Sequence, residues 1–415
     1  MRKLEFISTG NEILSGLTLD TNFSWAADKF SSNGIIPSYH VSVGDDEKDI
    51  STAFSIALGR SAFIVVTGGL GPTDDDLTAK TAADFFGVEL TFDETSYSEL
   101  EEKLRSRGRK VLGVHKKQAM FPVGSEIIKN ITGTSNGFKF IKNDCSFYFL
   151  PGVPREFKSM IEGFVLPDIL RNSGSDNYIL QKVIKTIGLG ESEVAVMLKS
   201  LKIDNADLSF RIKYPEIHLK LVAKSSSLDE AKKIIDLHTD AIYKSLENYI
   251  YTDKDESIEK VVADLLLEKN LTISTAESCT GGLLGNLLTD IPGSSDYFLR
   301  GVISYSNESK SELLGVDEDL FETVGAVSKE VVHQMASGIR RISSSDIGVG
   351  ISGIAGPGGG SEEKPVGTVY IGVDYMNHVY SYRYNFHGTR KDIKLASAKY
   401  ALDIIRNLII NNHKN

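Results

Sequence analysis

Cysteine is nearly missing from this chain. Only Cys145 and Cys279 occur in 415 residues, far apart in sequence. Two lone thiols exclude a disulfide framework, and no Cys/His spacing suits a structural zinc site. Long apolar runs are missing as well: no stretch of about 18 apolar residues is available to span a membrane. The opening residues MRKLEFISTG turn polar too early for a secretory signal. A reducing, cytoplasmic setting is therefore expected, with no membrane partner. An excess of positive charge is lacking too, since 46 Lys and Arg face 56 Asp and Glu, a net charge of −10. That balance excludes a broad basic surface, so no nucleic-acid partner is expected. Small anionic ligands remain open, because a glycine loop or one arginine can hold a phosphate inside an acidic protein.

What is present reads as an ordinary globular protein, with 41% hydrophobic and 25% charged residues. The length exceeds one core, so two or three domains are expected. Strand-like runs at 4–8, 36–43 and 62–66 alternate with helical patterns at 20–32, 48–58 and 76–86. That alternation predicts an α/β fold with a parallel-rich sheet covered on both faces. A further strand at 147–150 leads into Pro151-Gly152-Val153-Pro154. A polar join at 171–176 ends this first domain, 1–170.

The pattern then changes. Residues 171–252 read as a small α+β module, with strands at 183–187, 207–212 and 217–223 and helices at 191–201 and 228–246. It carries no catalytic constellation and is expected to be a spacer or a dimerisation element. A charged join at 252–255 opens the last domain, 253–415, which is again α/β.

Two dense motifs stand in that last domain. Ala276-Glu277-Ser278-Cys279-Thr280-Gly281-Gly282 follows a strand-like run, and Tyr305-Ser306-Asn307-Glu308-Ser309-Lys310 comes soon after. Ser278 sits at a strand-to-helix junction, where its hydroxyl can point out of the sheet or cap the helix. The N–H groups of Thr280, Gly281 and Gly282 suit an oxyanion or a phosphate. Lys310 is a candidate base if desolvation lowers its pKa, with Tyr305 the alternative base or a positioner. Cys279 is a rival nucleophile or a small buried thiol. Neither motif holds a histidine, which argues against a Ser-His-Asp triad. The second motif runs from Ser352-Gly353-Ile354-Ala355-Gly356-Pro357 through glycines to Glu362, Lys364 and Thr368. Its mixture of hydroxyl, charge and glycine predicts a binding loop rather than a plain turn.

The N-terminal domain has a parallel arrangement. Thr67-Gly68-Gly69-Leu70-Gly71-Pro72 follows a buried strand, and Asp74-Asp75-Asp76-Leu77-Thr78 opens the next helix. Glycines let backbone N–H groups approach a phosphate, and the carboxylates could hold a divalent cation. One acid of the three is expected to serve only the helix N-terminus. Thr9-Gly10-Asn11-Glu12-Ile13-Leu14 and Asp20-Thr21-Asn22 accompany them.

With both C-terminal motifs in order, residues 256–415 resemble the CinA family of competence/damage-inducible proteins. Residues 1–170 resemble the molybdopterin-binding fold of the MoaB and MogA proteins, and that pairing is the usual CinA layout. The resemblance implies a three-layer molybdopterin-binding-like first domain and an α/β nicotinamide mononucleotide deamidase at the C-terminus. It implies a catalytic Ser278, with Lys310 and Tyr305. Thr280, Gly281, Gly282, Ser352 and Gly353 would bind substrate, and Arg390 would hold the 5′-phosphate. No cofactor is implied there. For the first domain it implies ADP-ribose pyrophosphatase activity with magnesium, manganese or cobalt. Asp45 and Asp76 would hold the metal, and Asn11, Gly68, Gly69, Gly71 and Thr78 the substrate. A homodimer is expected. Ser135-Asn136 stands where many relatives have Ala-Pro, and His115 where asparagine is common. A molybdopterin-handling protein and a non-enzymatic competence or DNA-repair partner are the rival readings.

Overall fold

A computed structural model describes residues 3–174 and 178–412, so the end of the polar join at 171–176 lies outside the described residues. The chain divides into two compact units: residues 1–180 with 224–231, and residues 181–223 with 232–415. Among the described residues no helix is long and apolar enough to cross a membrane.

The first unit is built on strands β1 (Leu4–Thr9), β2 (Tyr39–Val43), β3 (Phe63–Thr67), β4 (Leu90–Phe92), β5 (Met120–Pro122), β6 (Glu126–Ile128), β7 (Gly137–Lys142) and β8 (Cys145–Leu150). Six of them form one sheet in the order β2-β1-β3-β8-β7-β6, while β4 and β5 pair apart. The strands β2, β1, β3 and β8 run parallel. Helices Thr21–Ser32, Glu47–Leu58 and Thr78–Phe86 connect or follow them. Successive side chains of a strand point to opposite faces. Thus Phe6, Val65 and Tyr148 pack with Phe30 and Phe157 on one face. Ile7, Val66 and Phe149 pack with Phe54 and Phe86 on the other. Burial on both faces is why these strands read as continuous apolar runs.

The second unit holds two sheets. Strands β9 (Tyr178–Ile187), β10 (Ala206–Lys213), β11 (Glu216–Ser225) and β12 (Ile250–Thr252) form one, in the order β10-β11-β9-β12. The other contains β13 (Ile273–Glu277), β14 (Phe298–Ile303), β15 (Ile347–Gly353), β16 (Thr368–Tyr375) and β17 (His378–Asn385), in the order β14-β13-β15-β16-β17. Both neighbours of β13 run parallel to it. Strands β16 and β17 add an antiparallel edge. Helices Ile258–Lys269 and Arg390–Asn412 cover one face, where Val262, Leu266, Ile393 and Leu402 meet Ile273, Val349 and Ile371. In an α/β sheet of this kind, ligands bind at the carboxyl ends of strands where the order reverses. Here that point is the end of β13, flanked by β14 and β15.

Candidate active site

Ser278 is the residue immediately after β13, and its N–H donates to Ile351 O at 2.9 Å. The helix that follows, Leu283–Thr289, begins five residues on, with Gly282, which has no side chain to cap it, at its N-cap. The hydroxyl of Ser278 is therefore not a helix cap. Instead Lys310 Nζ stands 3.4 Å from Ser278 Oγ. Lys310 comes from helix Asn307–Leu314, which starts after β14. It is only 2% exposed. Its ammonium donates to the carbonyls of Ser304 (3.0 Å), Tyr305 (3.2 Å) and Ser306 (3.4 Å). Among the described residues no carboxylate pairs with it. Burial pushes its pKa down from the ordinary lysine value.

Ser278 and Lys310 line a cavity of about 200 Å³ together with Cys279, Tyr305, Asn307, Ser352, Gly353 and Arg390. Ser352 and Gly353 lie at the carboxyl end of β15, so three adjacent parallel strands deliver the site. The hydroxyl of Ser352 is spent on Ala326 O at 2.7 Å. Arg390 opens the C-terminal helix. Its Nη1 donates to Gly356 O at 2.7 Å and its Nη2 to the Tyr305 hydroxyl at 3.1 Å. Tyr305 itself is 61% exposed. Burial raises the Cys279 thiol to about 12, which makes it a poor nucleophile near neutral pH.

The structure departs from expectation at the glycine turn. Thr280, Gly281 and Gly282 do not line the cavity. The side chain of Glu277 fills the helix N-terminus instead, accepting from Gly282 N (3.0 Å), Leu284 N (3.1 Å) and Gly285 N (2.8 Å). Gly281 N donates to Ser278 O at 3.1 Å. A carboxylate at a helix N-terminus thus takes the Gly282 amide, one of the donors expected to meet the ligand. The turn itself requires glycine, because Gly281 and Gly282 adopt φ of 62° and 91°. Glu362, Lys364 and Thr368 also stand outside the cavity lining.

The first unit carries a larger cavity, about 510 Å³, at the carboxyl ends of β1, β2, β3 and β8. Gly68, Gly69, Gly71, Asp45 and Asp76 line it. Asn11 and Thr78 do not. Asn11 braces the loop that carries Asp45: its N–H donates to Asp45 Oδ2 at 2.9 Å, and its Oδ1 accepts from Asp45 N at 3.2 Å. Thr78 is buried and supports the glycine loop from behind, where a Cβ on Gly69 would collide with its hydroxyl. Asp74 stays outside the lining, while Asp75 and Asp76 belong to it. Ser135 lines the cavity and accepts from Gln118 Nε2. Asn136 is buried and donates to Ser96 Oγ at 3.0 Å. His115 lies away from the cavity, where its Nδ1 accepts from Leu112 N at 2.9 Å.

Sequence reasoning assigned no role to Asp20, Asn22, Gln118 or Glu156, which also line this cavity. Asn22 ties two loops together by donating to Gly152 O at 2.8 Å. The Asp-Thr-Asn triplet before a helix was a usable signal for the first two. Gln118 and Glu156 arrive from distant segments and carried none. Asn307 was visible within its motif, but only the cavity shows that it faces Ser278 and Lys310.

The lining acids are Glu12, Asp20, Asp45, Asp75, Asp76 and Glu156, and the lining itself holds no lysine, arginine or histidine; behind it His40 Nε2 meets Asp20 Oδ2 at 3.1 Å. Among the described residues no three His, Cys, Asp or Glu side chains converge as a ready-made metal site. Asp76 Oδ2 is engaged by Thr73 N at 2.9 Å and Thr73 Oγ1 at 2.6 Å, and Asp45 Oδ2 by Asn11. Each keeps a second carboxylate oxygen. Magnesium is commonly held by one or two carboxylates plus ligand phosphates and waters, so this hard-oxygen donor set fits a divalent cation that arrives with a phosphate ligand.

Known proteins match the whole length. The "CinA C-terminal domain" model matches residues 255–409. The "Probable molybdopterin binding domain" model matches 5–171, and the "Damage-inducible protein CinA KH domain" model matches 181–252. The last assignment was not foreseen from the α+β pattern. The CinA-like protein of Geotalea uraniireducens is 38% identical, covering 98% of this chain and 98% of its own. The CinA-like protein of Geobacter sulfurreducens is 37% identical, covering 98% and 99%. A solved structure of competence/damage inducible protein CihA from Agrobacterium tumefaciens is 38% identical over 39% of this chain and all of its own, with a TM-score of 0.36. The chain belongs to the CinA family.

Proposed function

We propose that the C-terminal site hydrolyses the carboxamide of nicotinamide mononucleotide, releasing ammonia and nicotinate mononucleotide. One observation carries this reading: a buried lysine, with no carboxylate in ion-pair contact among the described residues, stands 3.4 Å from a serine hydroxyl in a cavity at the strand ends. Amide hydrolysis needs a nucleophile, a proton shuttle and an oxyanion donor. In its neutral form Lys310 takes the proton of Ser278 as Oγ attacks the carboxamide carbon. The N–H of Cys279, next to Ser278 in the cavity lining, would donate to the developing oxyanion. Lys310 then returns the proton to the leaving nitrogen, which departs as ammonia. Water, deprotonated by Lys310, releases the acid and restores Ser278. Desolvation favours this by lowering the pKa of Lys310 towards the working pH. Tyr305 serves as a positioner, because its hydroxyl accepts from Arg390, and Arg390 holds the substrate phosphate.

The test is ammonia release from nicotinamide mononucleotide by wild-type protein and by Ser278→Ala. Loss of the nucleophile should lower turnover by several orders of magnitude. Near-normal turnover in the variant would overturn the reading.

For the N-terminal site we propose a divalent-cation-dependent pyrophosphatase acting on ADP-ribose or a related pyrophosphate. Six carboxylates, of which Asp20 alone meets a histidine, would repel a bare pyrophosphate. Asp45 and Asp76 would hold the cation, which would neutralise the phosphate charge. The glycine loop, Gly68 to Gly71, brings backbone against the phosphates, and Asn11 and Thr78 hold the loops behind it. The match to a molybdopterin-binding model supports a second reading, pterin binding without hydrolysis. Phosphate release from ADP-ribose with magnesium, manganese or cobalt, coupled to a phosphatase, separates the two.

A further inference from the structure

Arg390 is the first residue of a 23-residue helix, Arg390–Asn412. Its aim depends on how that helix and the segment before it are held. Residues of the middle segment grip them at three heights. The Tyr214 hydroxyl donates to His387 O at 3.0 Å, three residues before Arg390. Lys399 Nζ, 13% exposed, lies between Glu216 Oε1 at 2.7 Å and Glu259 Oε1 at 2.9 Å. Arg406 Nη2 donates to Asn248 O at 2.9 Å.

Glu216 is itself fully engaged. It is buried, and its other oxygen takes the Tyr251 hydroxyl at 2.7 Å and His218 Nε2 at 2.8 Å. Tyr214 and Glu216 flank one turn, so the same hairpin between β10 and β11 touches both the approach to Arg390 and the middle of the helix. A spacer has no need of such buried, charge-assisted contacts.

We propose that residues 181–252 clamp the C-terminal helix so that Arg390 stays aimed at the substrate phosphate, with Tyr214 and Glu216 as positioning residues. This rests on the phosphate role of Arg390 given above. Neither residue lines the cavity, so the clamp acts on phosphate affinity and leaves the chemical step untouched.

The experiment compares the full chain with its Tyr214→Phe and Glu216→Gln variants on nicotinamide mononucleotide and on the corresponding nucleoside, which lacks the phosphate. Each variant should raise KM for the nucleotide by about three- to tenfold, with kcat unchanged and the nucleoside kcat/KM unaltered. In an Arg390→Met background neither substitution should add anything. Tyr214 is partly exposed and its substitution leaves the core intact, so it decides the matter should Glu216→Gln fold poorly. An equal effect on both substrates, or no KM change, overturns the clamp. Calorimetric titration with inorganic phosphate reads the clamp without turnover: weaker binding in Tyr214→Phe supports it and unchanged binding overturns it. Wild-type protein that releases no ammonia would instead sink the deamidase reading, and the phosphate titration would still judge the clamp.

Discussion

Replacing Lys310 with methionine is the most searching test of the C-terminal site. The substitution keeps most of the buried stem and removes the titrating nitrogen 3.4 Å from Ser278. Loss of a positioned base should reduce ammonia release by about a hundred- to ten-thousandfold. Stability should respond differently. The folded pKa of Lys310 is lowered by burial, so the unfolded chain holds that proton more tightly than the native one. Stability therefore rises as pH climbs from the lowered value towards 10.5, the ordinary lysine value. Each unit of lowering contributes about 1.4 kcal/mol to that rise. Methionine does not titrate, so the rise attributable to this residue disappears. At pH 7 two effects oppose each other. A buried charge no longer has to be desolvated, but three carbonyls lose a donor at about 1 kcal/mol each. The variant should therefore unfold within about 2 kcal/mol of wild type while being nearly inactive. Coupled ammonia assays and urea unfolding between pH 6 and 10 read both quantities. Turnover within tenfold of wild type, or an unchanged slope of stability against pH, would refute the argument.

Four further outcomes are expected. Ser278→Ala combined with Lys310→Met should be no slower than the worse single variant, because the two act as one unit; additive losses in kcat would separate them. Glu277→Gln, which offers one acceptor where a carboxylate offers two, should lower stability to urea by about 3 kcal/mol and reduce ammonia release; an unperturbed melt would deny Glu277 its capping role. Asp76→Asn should abolish cation-dependent ADP-ribose cleavage while deamidation survives both the substitution and chelation; chelator-sensitive deamidation would refute the separation of the sites. Burial alone would raise the pKa of Glu216, but hydrogen bonds from His218, Lys399 and Tyr251 overcome it and hold the carboxyl at about 2, against an ordinary 4.5. Its contribution is complete above 4.5 and is lost as pH falls towards 2, so Glu216→Gln should flatten acid unfolding by about 3 kcal/mol across that window. An identical acid limb would count against it.

Much of the molecule was legible in the residues. Parallel strands buried on both faces announce themselves as apolar runs between helical patterns, so β1, β3 and β8 were placed to within two residues. The α/β class followed from their alternation with helices. Regions without that periodicity were not read: β4 to β7 and the helices Glu94–Ser106 and Asp319–Thr323. They are short, edge-placed or half-buried, and their pattern is weak. The two motif loops were visible because they mix hydroxyls, charges and glycines after a strand, a mixture that packing does not demand.

The partners of each side chain were decided only by the fold. Sequence could nominate Ser278 and Lys310, but their approach depends on β13 and β14 lying side by side in parallel. It offered Gly281 and Gly282 as ligand donors, yet the Ser278 carbonyl takes the first amide and the carboxylate of Glu277 the second. It saw no function in Tyr214 or Glu216, since their contacts at His387 and Lys399 lie 173 and 183 residues away. Local periodicity is written in the chain, because each residue's neighbours along an element are its sequence neighbours. Which carboxylate meets which amine, and which hydroxyl is spent before a ligand arrives, depends on tertiary distance, and the linear order does not contain it.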